Sequence, residues 1–125
     1  MLFCLQIKHK ITIIKSKYIN GILHTVRPIA LKKNKVFVEN AREVSFLECD
    51  NLGSVIYVEV GALMVGKIVN EKIKSFKRAD EKGHFEFGGS TIVMLLEDKV
   101  KVNDLFIENT KEGIETIVKL GNKLD

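Results

Sequence analysis

Gly88-Gly89-Ser90-Thr91 places a hydroxyl nucleophile directly after two glycines, with apolar residues on either side. Three readings of such a segment stand side by side. A glycine-rich turn needs only the conformational freedom of glycine. A phosphate cradle needs a lysine after the glycines and a helix behind it. Here Thr91 is followed by Ile92-Val93-Met94-Leu95-Leu96, a run of strand character with no lysine in place. A backbone self-cleavage site needs a hydroxyl that attacks the carbonyl of the preceding residue, Gly89, and converts the amide to an ester. Glycine leaves that carbonyl unshielded and tolerates the distorted backbone of the attack. Elimination of the ester leaves dehydroalanine at Ser90, which hydrolyses to a pyruvoyl group. Its keto carbon can form a Schiff base with a substrate amine and draw electrons during decarboxylation, a task usually left to a separate cofactor.

The residues before the glycines sharpen the choice. Arg78-Ala79-Asp80-Glu81-Lys82-Gly83-His84-Phe85-Glu86-Phe87-Gly88-Gly89-Ser90-Thr91 resembles a segment of the phosphatidylserine decarboxylase family. There the pattern is Lys/Arg-Gly-x-Glu-x-Gly-x-Phe-x-x-Gly-Ser-Thr followed by an apolar strand; Ala79 stands where glycine is usual and is expected to alter a turn. Four more elements are similar to the family's and occur in the same order. They are His24-Thr25-Val26-Arg27-Pro28-Ile29-Ala30, with Arg27 in place of Asn, and Glu39-Asn40-Ala41-Arg42-Glu43. Val60 to Ile68 resembles a Val-Gly-Ala-x-x-Val-Gly-x-Ile strand pair, and Asn109 to Gly121 resembles the closing strand.

The resemblance implies a function. Residues 1–125 would be the C-terminal catalytic part of a proenzyme that cuts itself between Gly89 and Ser90. Ser90 would become the pyruvoyl cofactor, and the substrate would be phosphatidylserine, decarboxylated to phosphatidylethanolamine. The implied partner is an anionic membrane surface, met peripherally on the cytoplasmic face of the cell membrane, or the protein is cytoplasmic if truncated. A metal is not implied.

The elements that must hold this segment read as strands. Ile11 to Ile14 and Ile22 to Val26 are β-branched runs separated by Asn20-Gly21, a dipeptide suited to a tight hairpin. Val44 to Cys49, Val55 to Val60, Leu63 to Ile68 and Ile73 to Lys77 follow. His84-Phe85-Glu86-Phe87 alternates with the two-residue period of a half-buried strand. Thr91 to Leu96 reads as a strand buried on both faces, and Val100 to Val102 and Ile114 to Leu120 as two more. Short helical turns are expected near Lys35 to Arg42 and Asn103 to Glu108. The expected fold is mainly β, one compact sandwich or partly closed barrel with short helical turns.

The bulk numbers suit one folded domain. The chain has 125 residues, 46% of them hydrophobic and 29% charged, with a single Pro, which excludes disorder as the general state. The net charge of +4 conceals an asymmetry. Residues 1–42 hold nine Lys/Arg against Glu39 alone, while the remainder carries a balance of −4. A basic end suits phospholipid headgroups, and equally a solvated face of strand-borne lysines. Nucleic acid is not expected as a partner, because no aromatic ladder, zinc spacing or recognition helix accompanies the charge. Cys4 and Cys49 have no metal-ligand spacing and read as ordinary thiols. The apolar start, Met1 to Leu5, ends at Lys8-His9-Lys10, too short for a signal-peptide core or a membrane span.

One part of the family pattern is missing. Its proenzymes carry an Asp-Tyr-His-Arg-x-His segment and a further aspartate upstream, whose His and Asp act with the serine in self-cleavage. This chain has no Asp before Asp50, and its histidines are His9, His24 and His84. The expectation is a truncated form, with an exposed apolar face and a tendency to associate, either with a missing N-terminal segment or with itself. The alternatives are a catalytically inactive fragment and a lipoyl- or biotinyl-type binding module centred on Lys67. The latter lacks the acid and methionines that flank such a lysine.

Overall fold

A computed structural model describes residues 10–63, 67–77, 79–86, 90–119 and 122. Seven strands and three helices occur there: β1 (Ile11–Ile19), α1 (Pro28–Leu31), α2 (Val36–Glu39), β2 (Arg42–Cys49), β3 (Gly53–Val60), β4 (Ile68–Asn70), β5 (Ser75–Phe76), β6 (Gly83–Phe85), β7 (Thr91–Leu95) and α3 (Asp104–Lys111). Five strands make one sheet in the order β5-β1-β2-β3-β7, and β4 pairs with β6 in a separate ribbon. Every strand pair is antiparallel. The mainly-β expectation holds, and the larger sheet is open rather than closed into a barrel.

Alternation along the strands sorts the two faces. In β3, Val55, Tyr57 and Glu59 point inward and are buried, while Ser54, Ile56 and Val58 alternate outward. Their neighbours Leu47 and Cys49 in β2, Ile11 in β1 and Phe76 in β5 join Val55 and Tyr57 in one apolar cluster. Ile13, Leu52, Ile73, Ile92, Met94 and Leu96 pack against it. The β2–β3 hairpin turns at Asn51-Leu52-Gly53, where Gly53 has φ of 76°, a left-handed conformation that costs glycine little.

Several strand expectations are corrected. Asn20-Gly21 does not close a hairpin. A Cβ on Gly21 would strike the backbone of Glu39 and Asn40, so glycine permits a close crossing there. Ile22 makes an isolated parallel bridge to Asn40, and residues 23–26 form no strand. Leu63 is a turn residue and the strand begins at Ile68; Met64, Val65 and Gly66 lie outside the described residues. Residues 100–102 and 114–119 are not strands either. α3 ends in a Schellman arrangement in which Ile114 N donates to Asn109 O at 2.8 Å and Gly113 N to Thr110 O at 3.1 Å. Asn109 Nδ2 then donates to Thr116 Oγ1 at 2.9 Å, which holds the tail to its own helix instead of to a sheet edge. Finally, β7 is not buried on both faces, since Leu95 is 56% exposed.

Candidate active site

Ser90 immediately precedes β7, whose first residue, Thr91, is paired with Val60 of β3. Continuing the alternation backward from Met94 and Ile92, both packed on the apolar cluster, places Ser90 on the inner side. Its Oγ is buried and has no hydrogen-bond partner among the described residues. Such hydroxyls normally find one. Phe85 of β6 is buried beside Ile68 and Ile92, walling the approach to the start of β7. Phe87, Gly88 and Gly89, and with them the expected scissile bond, lie outside the described residues.

A buried charged network lies one step along the same face. Glu59 pairs directly with Ile92, so it is diagonal to Ser90 across the β3–β7 ladder. Lys82 Nζ donates to Glu59 Oε1 at 2.7 Å, with the two side chains 3% and 0% exposed. Asn70 completes a ring: its Nδ2 donates to Glu59 Oε2 at 2.9 Å and its Oδ1 accepts from Lys82 Nζ at 3.0 Å. The ammonium also stands 5.4 Å from the centroid of the Tyr57 ring, within cation–π range. Burial pushes the Glu59 carboxyl above its ordinary range, against the opposing pull of Lys82 and of the hydrogen bonds from Lys82 and Asn70. Gly83 makes the ring possible, because a Cβ there would clash with Asn70 Oδ1 and Val69 O.

A second buried polar residue ties the upstream elements to the same strand. Asn40 is wholly buried, and its Nδ2 donates to His24 O and to Gly61 O, both at 2.8 Å. Its Oδ1 accepts from His24 N at 3.1 Å. Asn40 thereby joins the His24 segment to Gly61, just beyond the β3 residue paired with Thr91.

Neither described histidine is hydrogen-bonded to Ser90 Oγ. His24 Nε2 lies 3.4 Å from Glu39 Oε2 and His84 Nδ1 3.2 Å from Glu81 Oε1, both in partly exposed pairs. His9 lies outside the described residues. Lys67 forms an exposed ion pair with Glu86 at 2.9 Å across the β4–β6 ribbon. No group of three His, Cys, Asp or Glu side chains gathers as a metal site among the described residues.

Comparison with known families decides the larger question. Residues 6–124 match phosphatidylserine decarboxylase. The chain belongs to the phosphatidylserine decarboxylase family. It is 57% identical over 109 residues to phosphatidylserine decarboxylase proenzyme 2 of Clostridium acetobutylicum, covering 86% of this chain and 38% of the relative. The proenzyme of Clostridium botulinum is 46% identical over 110 residues, covering 85% of this chain and 37% of its own length. That of Chlamydia pneumoniae is 40% identical over 114 residues, covering 88% and 38%. The chain thus spans less than two fifths of the curated relatives it matches. No solved structure matches it.

Within the family pattern, the glycine-to-alanine departure acquires a geometry. Ala79 has φ of 71°, the left-handed region, and is the one non-glycine residue there among the described residues. It sits third in a turn closed by Asp80 N donating to Lys77 O at 3.0 Å, a place where positive φ favours glycine. Sequence reasoning missed Glu59, Asn70 and Lys82 as a set. The available signal was a carboxylate on the inward phase of Val55-Ile56-Tyr57-Val58-Glu59, which demands a buried cation.

Proposed function

We propose that this chain supplies the Ser90-bearing, pyruvoyl-forming part of a phosphatidylserine decarboxylase, with self-cleavage between Gly89 and Ser90. The observation that carries the reading is the buried Ser90 Oγ, orphaned among the described residues and set just before β7, an edge strand of the five-stranded sheet. The residues around it suit a pyruvoyl group, which is small, uncharged and derived from Ser90 itself. A pyruvoyl group at Ser90 would supply an electron-withdrawing carbonyl for decarboxylation of the serine headgroup.

The remaining work falls to the chain's own side chains. Phe85 and Ile92 exclude water from one side of the start of β7, which strengthens electrostatic interactions there. The Glu59–Lys82–Asn70 ring ties Lys82, at the head of β6, and Asn70, at the end of β4, to β3, one ladder step from Ser90. Lys10, exposed just before β1, puts positive charge at that end of the sheet, suited to anionic lipid. Among the described residues no helix is long and apolar enough to cross a membrane, and we propose peripheral contact at the cytoplasmic face.

A second reading, a fragment inactive alone, has its own support. His24 and His84 are engaged with Glu39 and Glu81, and Ser90 has neither as a partner. A serine with no base beside it is a weak nucleophile. Intact mass under denaturing conditions separates the two readings. Residues 1–89 together with a blocked 90–125 fragment support self-processing, and Ser90→Ala should abolish both. A single 14.1 kDa species supports the inactive fragment.

A further inference from the structure

The outer face of the sheet carries two apolar rows set by strand register. Phe46 of β2, Ile56 of β3 and Leu95 of β7 are directly opposed, and so are Val44, Val58 and Val93. On β1 the same rows end in lysines, Lys15 opposite Phe46 and Lys17 opposite Val44. Phe46 is 45% exposed, Leu95 56%, and Ile14, displaced by the irregularity in β1 beside Phe46, 65%. Among the described elements the substantial contacts all run between paired strands and none joins a helix to these rows, while Val44, Val58 and Val93 are half-buried. A continuous apolar face of this kind, crossing three strands, ordinarily meets another layer about 10 Å away.

We infer that this face docks a polypeptide corresponding to the part of a phosphatidylserine decarboxylase proenzyme that lies outside the matched region, through an apolar surface bordered by carboxylates that meet Lys15 and Lys17. The larger part of each relative's length lies outside the match, so the complete family fold has material to build that layer. The composition of the face argues for protein over lipid. Its rows are β-branched and aliphatic with one Phe, and the chain has no Trp to anchor at a membrane interface. The lysines border one side only, as expected for charge that orients a partner in register. The inference rests on family membership and is independent of whether Ser90 is processed.

The test is co-expression of this chain with a tagged polypeptide comprising the unmatched portion of the Clostridium acetobutylicum proenzyme 2. The expected result is one-to-one co-elution through affinity and size-exclusion steps. Phe46→Asp and Leu95→Asp, at sites already open to solvent, should cut the co-eluting chain at least tenfold. Phe37→Asp, on α2 and also exposed, should leave it unchanged. Lys15→Glu, which removes no apolar contact, should weaken capture severalfold and serves if the aspartate variants fail to fold. The inference is overturned by absence of co-elution, or by capture that all three outer-face variants leave intact. It is equally overturned if the face instead joins two copies of this chain, or binds phosphatidylserine vesicles in preference to the polypeptide. Mass analysis of the captured chain reports separately on Ser90: intact chain in a stable complex would count against self-processing and leave the docking surface standing.

Discussion

Lys82 Nζ stands 2.7 Å from Glu59 Oε1 at a place where neither side chain has appreciable contact with water. Each ion alone would be strongly penalised there, and each is tolerated because the other and Asn70 satisfy it. Lys82→Met should therefore leave a buried carboxylate and cost about 3–5 kcal/mol, as should Glu59→Leu, which strands the ammonium. The double variant should recover most of the loss. Urea unfolding of the four proteins measures this, and simple additivity of the two single losses would mean that the pair is not coupled.

The same burial gives the pair a pH signature. The folded-state pKa of Glu59 is raised, so the native state favours its protonated form more than the unfolded chain does. That contribution is fully present below the ordinary carboxylate pKa and is lost as pH rises through the elevated one. Stability should decline over that window in the wild type and stay flatter in the Glu59→Leu/Lys82→Met double variant. Thermal unfolding across mildly acidic to neutral pH tests it, and parallel curves for the two proteins would argue against the assignment.

Cys49 offers an independent measure of core integrity. It is buried in the inner apolar cluster, and burial, with the neighbouring charges of Glu48 and Asp50, pushes its thiol up to about 11. The thiolate is the reactive species, so at pH 8 Cys49 should resist alkylation in the native protein and react promptly in urea. Peptide mapping distinguishes it from Cys4. Rapid native alkylation at Cys49 would mean that the sheet opens on the timescale of the reaction.

The strands that carry the site were legible because each is a short apolar run with punctuation. Val44 to Cys49 and Val55 to Val60 became β2 and β3 nearly residue for residue, and Ser90 was placed at the head of an apolar strand that became β7. What failed depends on partners distant in the chain. Asn20-Gly21 has hairpin chemistry, yet β1 finds its partner in β2, so Gly21 serves a close crossing against Glu39 and Asn40 instead. Ile114 to Leu120 alternates like a strand, yet Ile114 and Thr116 are held by α3 and its C-terminal turn, and Leu120 lies outside the described residues. Glu59 shares the inward phase of Val55 and Tyr57, but its cation, Lys82, lies far along the sequence and no local spacing pairs the two.

Ala79 marks a place where this chain departs from its family's pattern at a measurable cost. A Cβ in the left-handed region costs roughly 1–2 kcal/mol, part of which glycine gives back through its larger unfolded-state entropy. Ala79→Gly should raise stability by about 1 kcal/mol. Ala79→Val, β-branched at the same φ of 71°, should lower it. Chemical unfolding of the three proteins checks the order, and a less stable glycine variant would mean that the Lys77–Asp80 turn relaxes to negative φ in solution.

Gly83 is the converse, a family-pattern glycine whose need comes from crowding and not from its own dihedral angle. Gly83→Ala would place a methyl group in clash with Asn70 Oδ1 and Val69 O. The Asn70 side chain would have to swing away, withdrawing its bonds from both Glu59 and Lys82 and loosening the β4–β6 pairing at Asn70↔Gly83. A loss of about 2–3 kcal/mol is expected, of the order of one buried charged group deprived of a hydrogen bond plus local strain. The decisive comparison is with Asn70→Ala. Asn70→Ala removes only the Oδ1 contact, while Val69 O and, at 2.9 Å, Asn70 Cα still crowd that Cβ, so the double variant Gly83→Ala/Asn70→Ala should stay clearly less stable than Asn70→Ala alone. A double variant no worse than Asn70→Ala would instead locate the whole requirement for glycine at the amide and not in the backbone of the ribbon.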